Sequence, residues 1–386
     1  MLRDGNRRAF GRSSGGVPPN FWAAFNDAGA GAVSLALTAG TGSATFTRAT
    51  TAWTKLSTGL WAQVGTGVAR SCYTGNGTTV GVYGGYFAEG AATNLCLQSR
   101  DMTNASWTKV TMTAALDQTG IDGGANTASS LTATAGAATC LQTITEAATA
   151  SALSMFIKRI TGVGTVTIQQ GASTSEISGS LNSSTYTRVE LDATVLNPAI
   201  GISLGTNGDK IAVDMVQFEN STMGAATSPI PTTTVAVTRN SDLLTYPVAG
   251  NIADTAGTAF AQCFVPNTLS SGTHGIIADG SGVASYPLAI TSGPQVGCYD
   301  GTGVVNATGN ITVGASFKAA ANWTGATRNV YRNGTNKGTG AYDGTITPAA
   351  LNIGAWSGAA SGTLYGMLKN VKLWTIALSD AQIASL

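Results

Sequence analysis

Charged residues are scarce in this sequence: Asp, Glu, Lys and Arg make up 10% of the 386 residues, and the formal net charge is +1. Long helices exposed to water need charged faces, so we do not expect such helices. A nearly neutral chain also lacks the basic surface that attracts nucleic acid or an anionic membrane. The composition therefore argues against a nucleic-acid partner.

Histidine and cysteine are also rare. The single histidine, His274, lies in the glycine-flanked segment 272–275 and is predicted to be a loop residue. A histidine base and a transition-metal site are therefore disfavoured, and we expect no cofactor. The cysteines are odd in number, widely spaced and without a C-x-x-C motif, which predicts small buried apolar residues rather than disulfides. They are Cys72, Cys96, Cys140, Cys263 and Cys298.

Long apolar runs are missing. No run approaches the roughly 20 residues that span a bilayer, so membrane insertion is not expected. Residues 1–8 (MLRDGNRR) lack the apolar core of a signal peptide. We therefore expect the protein to be made and folded in a cytoplasm.

Carboxylates are few where hydrolysis would need them. Glycoside hydrolysis uses two carboxylates about 5 to 9.5 Å apart. No glutamate follows Glu219, and the later aspartates are not paired along a strand. Glu190 and Asp192 share a strand face, but a solvated face explains them better. The sequence predicts that the protein is not an enzyme.

Glycine is abundant, at 50 residues, and it separates short segments of alternating apolar and polar residues. This pattern predicts an all-β protein. Near the C-terminus, residues 329–334 (NVYRNG) end in Asn333 and Gly334, which favour the tight turn of a hairpin. Ser379 offers an N-cap oxygen to a short helix that carries Ala381, Gln382 and Ile383.

Residues 364–374 (LYGMLKNVKLW) form one predicted strand. If the alternation is unbroken, one face carries both Asn370 and Lys372 and is partly polar. The opposite face is then the predicted core face. It carries Tyr365, Met367, Lys369, Val371 and Leu373.

The last part of the chain resembles the laminin-G-like or concanavalin-A-like jelly roll. The resemblance covers about residues 240–386 and lies in segments 317–323 (FKAAANW), 329–334, 351–354 (LNIG), 364–374 and 377–383 (ALSDAQI). It implies a lectin-like domain. Calcium remains open in such a domain through Asp279 or Asp300, although nothing in their spacing supports it.

Lectin-like binding needs aromatic rings on exposed loops, because the C–H faces of sugars lie on such rings. Trp356, Tyr342 and Tyr299 are the candidate carbohydrate-binding residues. For each, the alternative is a ring folded over the rim of the core. Trp323 and Trp374 lie on predicted strands and are expected in the core.

Two earlier regions resemble parts of bacteriophage virion proteins. Segments 45–50 (TFTRAT), 69–70 (AR), 86–90 (YFAEG) and 93–99 (TNLCLQS) are similar to a lead-in found in many of them. Residues 101–239 resemble a carbohydrate-binding-module-like β-sandwich. Pro229 and Met215 stand where such modules usually carry aromatic rings, which puts sugar binding by this sandwich in doubt. Pro229 and Pro231 also predict a linker after the sandwich.

The first residues form a predicted docking arm. Residues 1–20 are basic and poor in apolar side chains, and aromatic residues follow them. We expect this arm to bind other virion proteins and the protein to form a homo-oligomer, most simply a trimer. The alternative is that the arm folds back on its own body, with the aromatic residues starting the first core. The candidate docking residues are Arg3, Arg7, Arg8, Arg12, Phe21 and Trp22.

These resemblances predict tandem β-sandwich (jelly-roll) domains preceded by an extended arm. The expected parts are residues 1–31 (arm), 32–100 (β-rich lead-in), 101–239 (sandwich) and 240–386 (jelly roll). They imply a virion structural protein, either a tail fibre or an adhesin that presents a lectin-like domain to host surface glycans. The alternatives are a capsid or tail decoration protein without a ligand and a polysaccharide depolymerase.

Overall fold

The computed structural model describes residues 16–220, 225–267, 269, 272–279, 285–343, 346, 349–356 and 362–386. Its described secondary structure consists of β-strands with one short α-helix and one 3-10 turn, which confirms the all-β prediction. Within the described residues, no helix has the length and apolar character needed to cross a membrane.

The N-terminal region contributes ten short strands. They are β1 (Phe21–Ala23), β2 (Asp27–Gly29), β3 (Ala32–Val33), β4 (Leu37–Ala39), β5 (Thr45–Thr47), β6 (Ala52–Lys55), β7 (Trp61–Val64), β8 (Ser71–Tyr73), β9 (Tyr83–Ala88) and β10 (Ala92–Asn94).

The middle region contributes ten strands and a 3-10 turn, Ser178–Ser180. The strands are β11 (Thr108–Val110), β12 (Met112–Gln118), β13 (Ala128–Ala133), β14 (Ala138–Thr143), β15 (Ala150–Thr161), β16 (Val166–Gln170), β17 (Ser173–Glu176), β18 (Thr187–Thr194), β19 (Ala199–Leu204) and β20 (Lys210–Asn220).

The C-terminal region contributes twelve strands and the helix. They are β21 (Val237–Arg239), β22 (Leu243–Tyr246), β23 (Ala256–Phe264), β24 (His274–Asp279), β25 (Tyr286–Thr291), β26 (Gln295–Tyr299), β27 (Val304–Asn306), β28 (Ser316–Thr324), β29 (Thr327–Arg332), β30 (Thr335–Ala341), β31 (Leu351–Ile353), β32 (Gly366–Trp374) and α1 (Asp380–Ala384).

The middle region is a sandwich of two five-stranded sheets, β11-β14-β19-β16-β17 and β12-β13-β20-β15-β18. Alternate residues of the strands point inward, so Leu153, Ile168, Ile202 and Phe218 lie fully buried between the sheets. The strands β10 and β21, which flank this region in sequence, pair with each other. The chain therefore enters and leaves the sandwich at one place.

The jelly roll packs a nine-stranded sheet against a seven-stranded sheet. The larger sheet has the order β30-β29-β28-β23-β32-β1-β4, with β9 also pairing with β32 and β8 pairing with β9. The smaller sheet has the order β27-β26-β25-β24-β31-β22-β5. Trp323 is 0% exposed and lies in the core between the sheets, as predicted, whereas Trp374 is 1% exposed but is buried in a separate cluster with Leu378 and Ile383. The hairpin between β29 and β30 turns at Asn333 and Gly334, both at positive φ, which confirms the turn.

The arm and lead-in are not separate from the jelly roll. β1 and β9 both pair with β32, and β5 pairs with β22, so the N-terminal strands complete both sheets. Phe21 is fully buried in the jelly-roll core, where its ring meets Tyr246 edge-on at 5.1 Å. The predicted boundary at residue 31 therefore does not divide the fold, and residues before the sandwich share their sheets with the jelly roll. Pairing between residues so distant in sequence leaves no local signal.

A buried charge cluster joins the parts, and we define it as Arg48, Arg70, Glu89, Arg239 and Asp242. Asp242 forms ion pairs with both Arg48 and Arg70, and Glu89 pairs with Arg70 at 2.9 Å and with Arg239 at 3.5 Å. Burial opposes ionisation of Glu89, but the charges of Arg239 and Arg70 outweigh it and lower its pKa to about 2. The arginines and the glutamate of the lead-in segments thus have a structural role.

The predicted linker is also part of this junction. Ser228 donates from its backbone to Glu89 at 2.8 Å, and Pro229 and Pro231 flank the buried Ile230. This segment connects β20 of the sandwich to β21 without a described strand, as the linker prediction requires, and it is packed against the lead-in. A proline-rich sequence excludes regular pairing but does not require exposure.

The face prediction for β32 is wrong at one end. Val371 and Leu373 lie in the core as expected, but Leu368 lies there too, while Met367 packs on the outer face. The register against β23 runs from Ala261 opposite Val371 to Cys263 opposite Leu368. One extra residue in β32 therefore forms a β-bulge at Lys369 and Asn370, which shifts the alternation.

Candidate functional site

Two of the candidate rings, Tyr299 and Trp356, meet around a third aromatic residue, Tyr286. Tyr286 lies directly across from Tyr299 in the β25–β26 pair, with ring centroids 5.3 Å apart. Trp356 follows β31 and meets Tyr286 edge-on at 5.8 Å. We call these three residues the rim cluster. Tyr286 was not predicted, because it becomes a neighbour of Tyr299 only through the strand register.

The rim cluster has a buried base and a partly open surface. Tyr286 is 5% exposed and packs with Ala278 and Ala289, whereas Tyr299 and Trp356 are half-buried. The Tyr299 hydroxyl donates to the Gly301 carbonyl at 2.6 Å, and the Trp356 backbone N–H donates to the Gly362 carbonyl at 3.1 Å. Two rings held in this way offer apolar surface to the C–H face of a sugar.

Tyr342 lies elsewhere, in the jelly-roll core. It is 5% exposed, its hydroxyl donates to the Asp254 carbonyl, and the Ile346 backbone N–H donates to the same hydroxyl at 3.2 Å. A ligand cannot stack on a ring enclosed in this way. The alternative for this candidate was a ring folded over the rim of the core, and the ring in fact lies within the core itself.

Of the two aromatic docking candidates, one is buried in the core and the other lies on the outer face of a sheet. Phe21 is a core residue, while the neighbouring Trp22 points to the outer face of the nine-stranded sheet and donates from its indole to Asn370 at 3.2 Å. The arginine candidates Arg3, Arg7, Arg8 and Arg12 lie outside the described residues.

His274 is not a loop residue. It begins β24, is 4% exposed, and its Nδ1 lies 2.8 Å from the Thr363 carbonyl. The five cysteines are all buried, as predicted, and burial raises the pKa of the Cys298 thiol to about 12. In the ranges that the structure describes, no group of three or more His, Cys, Asp or Glu residues could hold a metal ion.

A cleft of about 510 Å³ lies where lead-in, sandwich and jelly roll meet. Half-exposed rings of Tyr73, Phe264 and Tyr365 contribute to its wall. Glu190 also lines this cleft, and its carboxylate lies 3.7 Å from the Arg188 guanidinium group. Asp192 does not line the cleft. Partial burial and the charge of Glu190 raise the pKa of Asp192 to about 6. The two carboxylates on β18 are thus electrostatically coupled, but only Glu190 of the two lines this cleft.

A known protein family matches the C-terminal part of the chain. Residues 232–384 match the family model described as the concanavalin A-like lectin/glucanases superfamily. No functionally curated protein matches the chain.

Solved structures show weaker similarity. Domain 4 of an extracellular arabinanase from Geobacillus stearothermophilus, in complex with arabinotriose, is 13% identical with a TM-score of 0.30, over 38% of this chain and 72% of that one. A sialidase from Trypanosoma rangeli is 17% identical with a TM-score of 0.32, over 37% of this chain and 25% of the sialidase. A heptameric pentraxin from Limulus polyphemus is 16% identical with a TM-score of 0.26, over 36% and 70% of the two chains.

The matched residues include most strands of the two packed sheets described above. The C-terminal part of this protein is therefore a laminin-G-like jelly-roll domain of the concanavalin A-like lectin and glucanase type.

Proposed function

We propose that this protein is a non-enzymatic structural protein of a bacteriophage virion that binds host surface glycans through its jelly roll. The observation that carries the glycan-binding part is the rim cluster, in which Tyr299 and Trp356 are half-buried around Tyr286. The domain type supports the same proposal, because the matching family includes lectins.

The virion part of the proposal is supported by the sequence resemblance of the lead-in and sandwich. The lead-in arginines and Glu89 form the buried charge cluster that joins these parts to the jelly roll. Such a junction fixes the domains relative to one another, which suits a particle component. We further propose a homotrimer that docks through its basic N-terminal residues. A stable monomer in light scattering of the full chain would argue against the trimer.

The non-enzymatic part is supported by the distribution of carboxylates. Residues 240–386 contain no glutamate, and of the two glutamates that line the cleft, Glu89 and Glu190, the first is buried and paired with Arg70 and Arg239. A paired acid and base would both have to face one substrate. Release of new reducing ends from capsule or lipopolysaccharide would instead identify a depolymerase.

Binding of the full-length protein to an array of bacterial capsule and lipopolysaccharide fragments tests the proposal. The Trp356→Ala, Tyr299→Ala double variant removes both half-buried rings of the rim cluster, and we expect it to lose saturable binding. The Tyr299→Phe variant keeps the ring and is expected to bind like the native chain. Both must retain the native melting temperature.

A third variant separates the rim cluster from the cleft. Tyr73→Ala removes a half-exposed ring of the cleft and leaves the rim cluster unchanged. Loss of binding in this variant alone would move the site to the cleft. No binding by the native protein to host cells or to the array at micromolar concentration would favour a decoration protein without a ligand.

A further inference from the structure

The outer face of the nine-stranded sheet carries a polar patch that the function proposed above does not use. We call it the lysine face and define it as Trp22, Gln262, Lys318, Lys369, Asn370 and Lys372. Gln262 lies directly across from Lys318 in the β23–β28 pair, and Lys372 lies across from both Phe260 and Trp22. Three of the eight lysines in the chain therefore share one face.

The β-bulge in β32 builds this face. Because Cys263 pairs with Leu368 and Ala261 with Val371, both Lys369 and Asn370 stand opposite Gln262. An unbroken strand would send one of these two side chains into the core. Bulges that redirect a side chain in this way often occur at functional sites.

The three ammonium groups have no acidic partner among the residues that the structure describes. Within the described parts of the chain, none of them belongs to an ion pair. Burial and the charge of Lys318 lower the pKa of Lys372, so these two lysines are close enough to repel each other. Two aspartates elsewhere in the fold pair with tyrosines instead, since Tyr73 donates to Asp27 and Tyr331 donates to Asp380.

Contacts with aromatic rings and amide hydrogen bonds hold the side chains of the lysine face, and they leave hydrogen-bond donors available. Lys372 lies 4.7 Å from the centre of the Trp22 ring, and Lys369 lies 5.8 Å from that of Tyr83. The Trp22 indole N–H donates to Asn370 Oδ1, and the Asn370 side-chain amide donates to Gln262 Oε1 at 2.7 Å. The Gln262 amide nitrogen donates to no described residue, and Gln262 lines a groove of about 700 Å³ together with Lys318 and Lys369. The groove thus offers donors to a ligand rich in acceptors.

We propose that the lysine face binds an acidic polysaccharide whose carboxylates pair with Lys318, Lys369 and Lys372. Adjacent strands lie about 4.8 Å apart, so the strands of Lys318 and Lys372 are about 10 Å apart, which is close to the length of a disaccharide. A linear uronate polymer carries a carboxylate on every sugar, so every second carboxylate recurs at the length of a disaccharide, with hydroxyl acceptors between them. This inference rests on the proposed glycan-binding function. It specifies that the glycan is acidic and that it binds at a site separate from the rim cluster.

Titration calorimetry of the full chain with polygalacturonate oligomers at low salt tests this inference. We expect the native protein to bind them and not to bind the same oligomers after reduction of their carboxyl groups. The Lys318→Gln, Lys372→Gln variant should lose at least about tenfold in affinity. The Lys158→Gln, Lys337→Gln variant makes the same charge change away from the face and should stay within about twofold of native.

Three results would overturn the inference: no binding of polygalacturonate by the native chain, an equal loss in both lysine variants, or equally tight binding of duplex DNA of matched charge. The last result would indicate a surface for polyanions in general. The Trp356→Ala, Tyr299→Ala variant should still bind polygalacturonate. Failure of the rim cluster as a glycan site can therefore be told apart from failure of the lysine face.

Discussion

Arg48 and Asp242, 194 residues apart in the chain, form an ion pair of 2.8 Å in which neither side chain is exposed to solvent. Asp242 also pairs with the fully buried Arg70. One carboxylate from the start of the jelly roll thus compensates two guanidinium groups from the lead-in. Buried charges must be compensated in this way, because each loses its hydration on folding.

We expect Asp242→Asn to lower the free energy of unfolding by about 3 to 5 kcal/mol, because it leaves both arginines buried without this carboxylate. Urea denaturation at neutral pH measures the loss. Asp117→Asn is the control, since the 44% exposed Asp117 side chain lies 3.6 Å from Lys210 at the surface. Its expected cost is at most about 1 kcal/mol. Equal losses in the two variants would contradict the importance assigned to the cluster.

Glu219 gives the stability a defined pH dependence. Burial raises the pKa of Glu219 to about 7, although the Thr227 backbone N–H and the charges of Arg188 and Arg239 oppose this rise. The folded protein therefore keeps a proton on Glu219 that the unfolded chain releases above a pKa of about 4.3. This contribution to stability is complete below that value and is lost as the pH rises through about 7.

The Glu219→Gln variant should remove this dependence. Between pH 5 and 7.5 the free energy of unfolding should fall less in this variant than in the native chain. The difference between the two falls should be at most about 3 kcal/mol. Chemical denaturation across this interval measures the difference. Glu176→Gln, at an exposed position on β17, should leave the native profile unchanged. A native profile that is flat across the interval would show that Glu219 is ionised in the folded protein.

Gly334 and Gly314 together separate two costs of replacing a glycine, namely backbone strain at positive φ and a steric clash of the new Cβ atom. It has φ +77°, and a Cβ atom there would lie 2.9 Å from the Cα of Ala384 in α1. Gly314 has φ +75° but no atom within 4 Å of such a Cβ. Gly314→Ala should cost about 1 kcal/mol through backbone strain alone. Gly334→Ala should cost more, because α1 must also shift, and thermal denaturation of both variants would show the difference. Equal costs would mean that α1 yields freely.

Features with a local cause were predicted correctly from the sequence. Asn333 and Gly334 make the expected turn because both positions need positive φ. Ser379 caps α1 and takes part in a capping box with Gln382, so the helix start is encoded within four residues.

Features that depend on distant pairing were missed. The bulge at Lys369 and Asn370 appears only when β32 is set against β23, and it reversed the predicted face of Met367 and Leu368. Tyr286 was missed for a related reason. It contacts Tyr299 only because the register of β25 against β26 places the two residues opposite each other. The N-terminal strands belong to the jelly roll through pairings that the sequence alone does not specify.

The N-terminal strands lead to a last prediction, which concerns the minimal folding unit. The family model covers residues 232–384, but the sheets in this protein also need β1, β5 and β9. Without them the fully buried side chains of Phe21 and Tyr86 are missing from the core, and one edge of β32 loses its partners. Burial of two such rings contributes several kcal/mol, of the order of the whole stability of a domain.

We therefore expect a fragment of residues 232–386 to be insoluble or to lack cooperative unfolding. A fragment of residues 16–386 should unfold at the same temperature as the full chain, because it keeps every described strand. Circular dichroism melting curves of the two fragments make the comparison. A cooperative transition in the shorter fragment, close to that of the full chain, would show that the C-terminal strands close their core without the N-terminal ones.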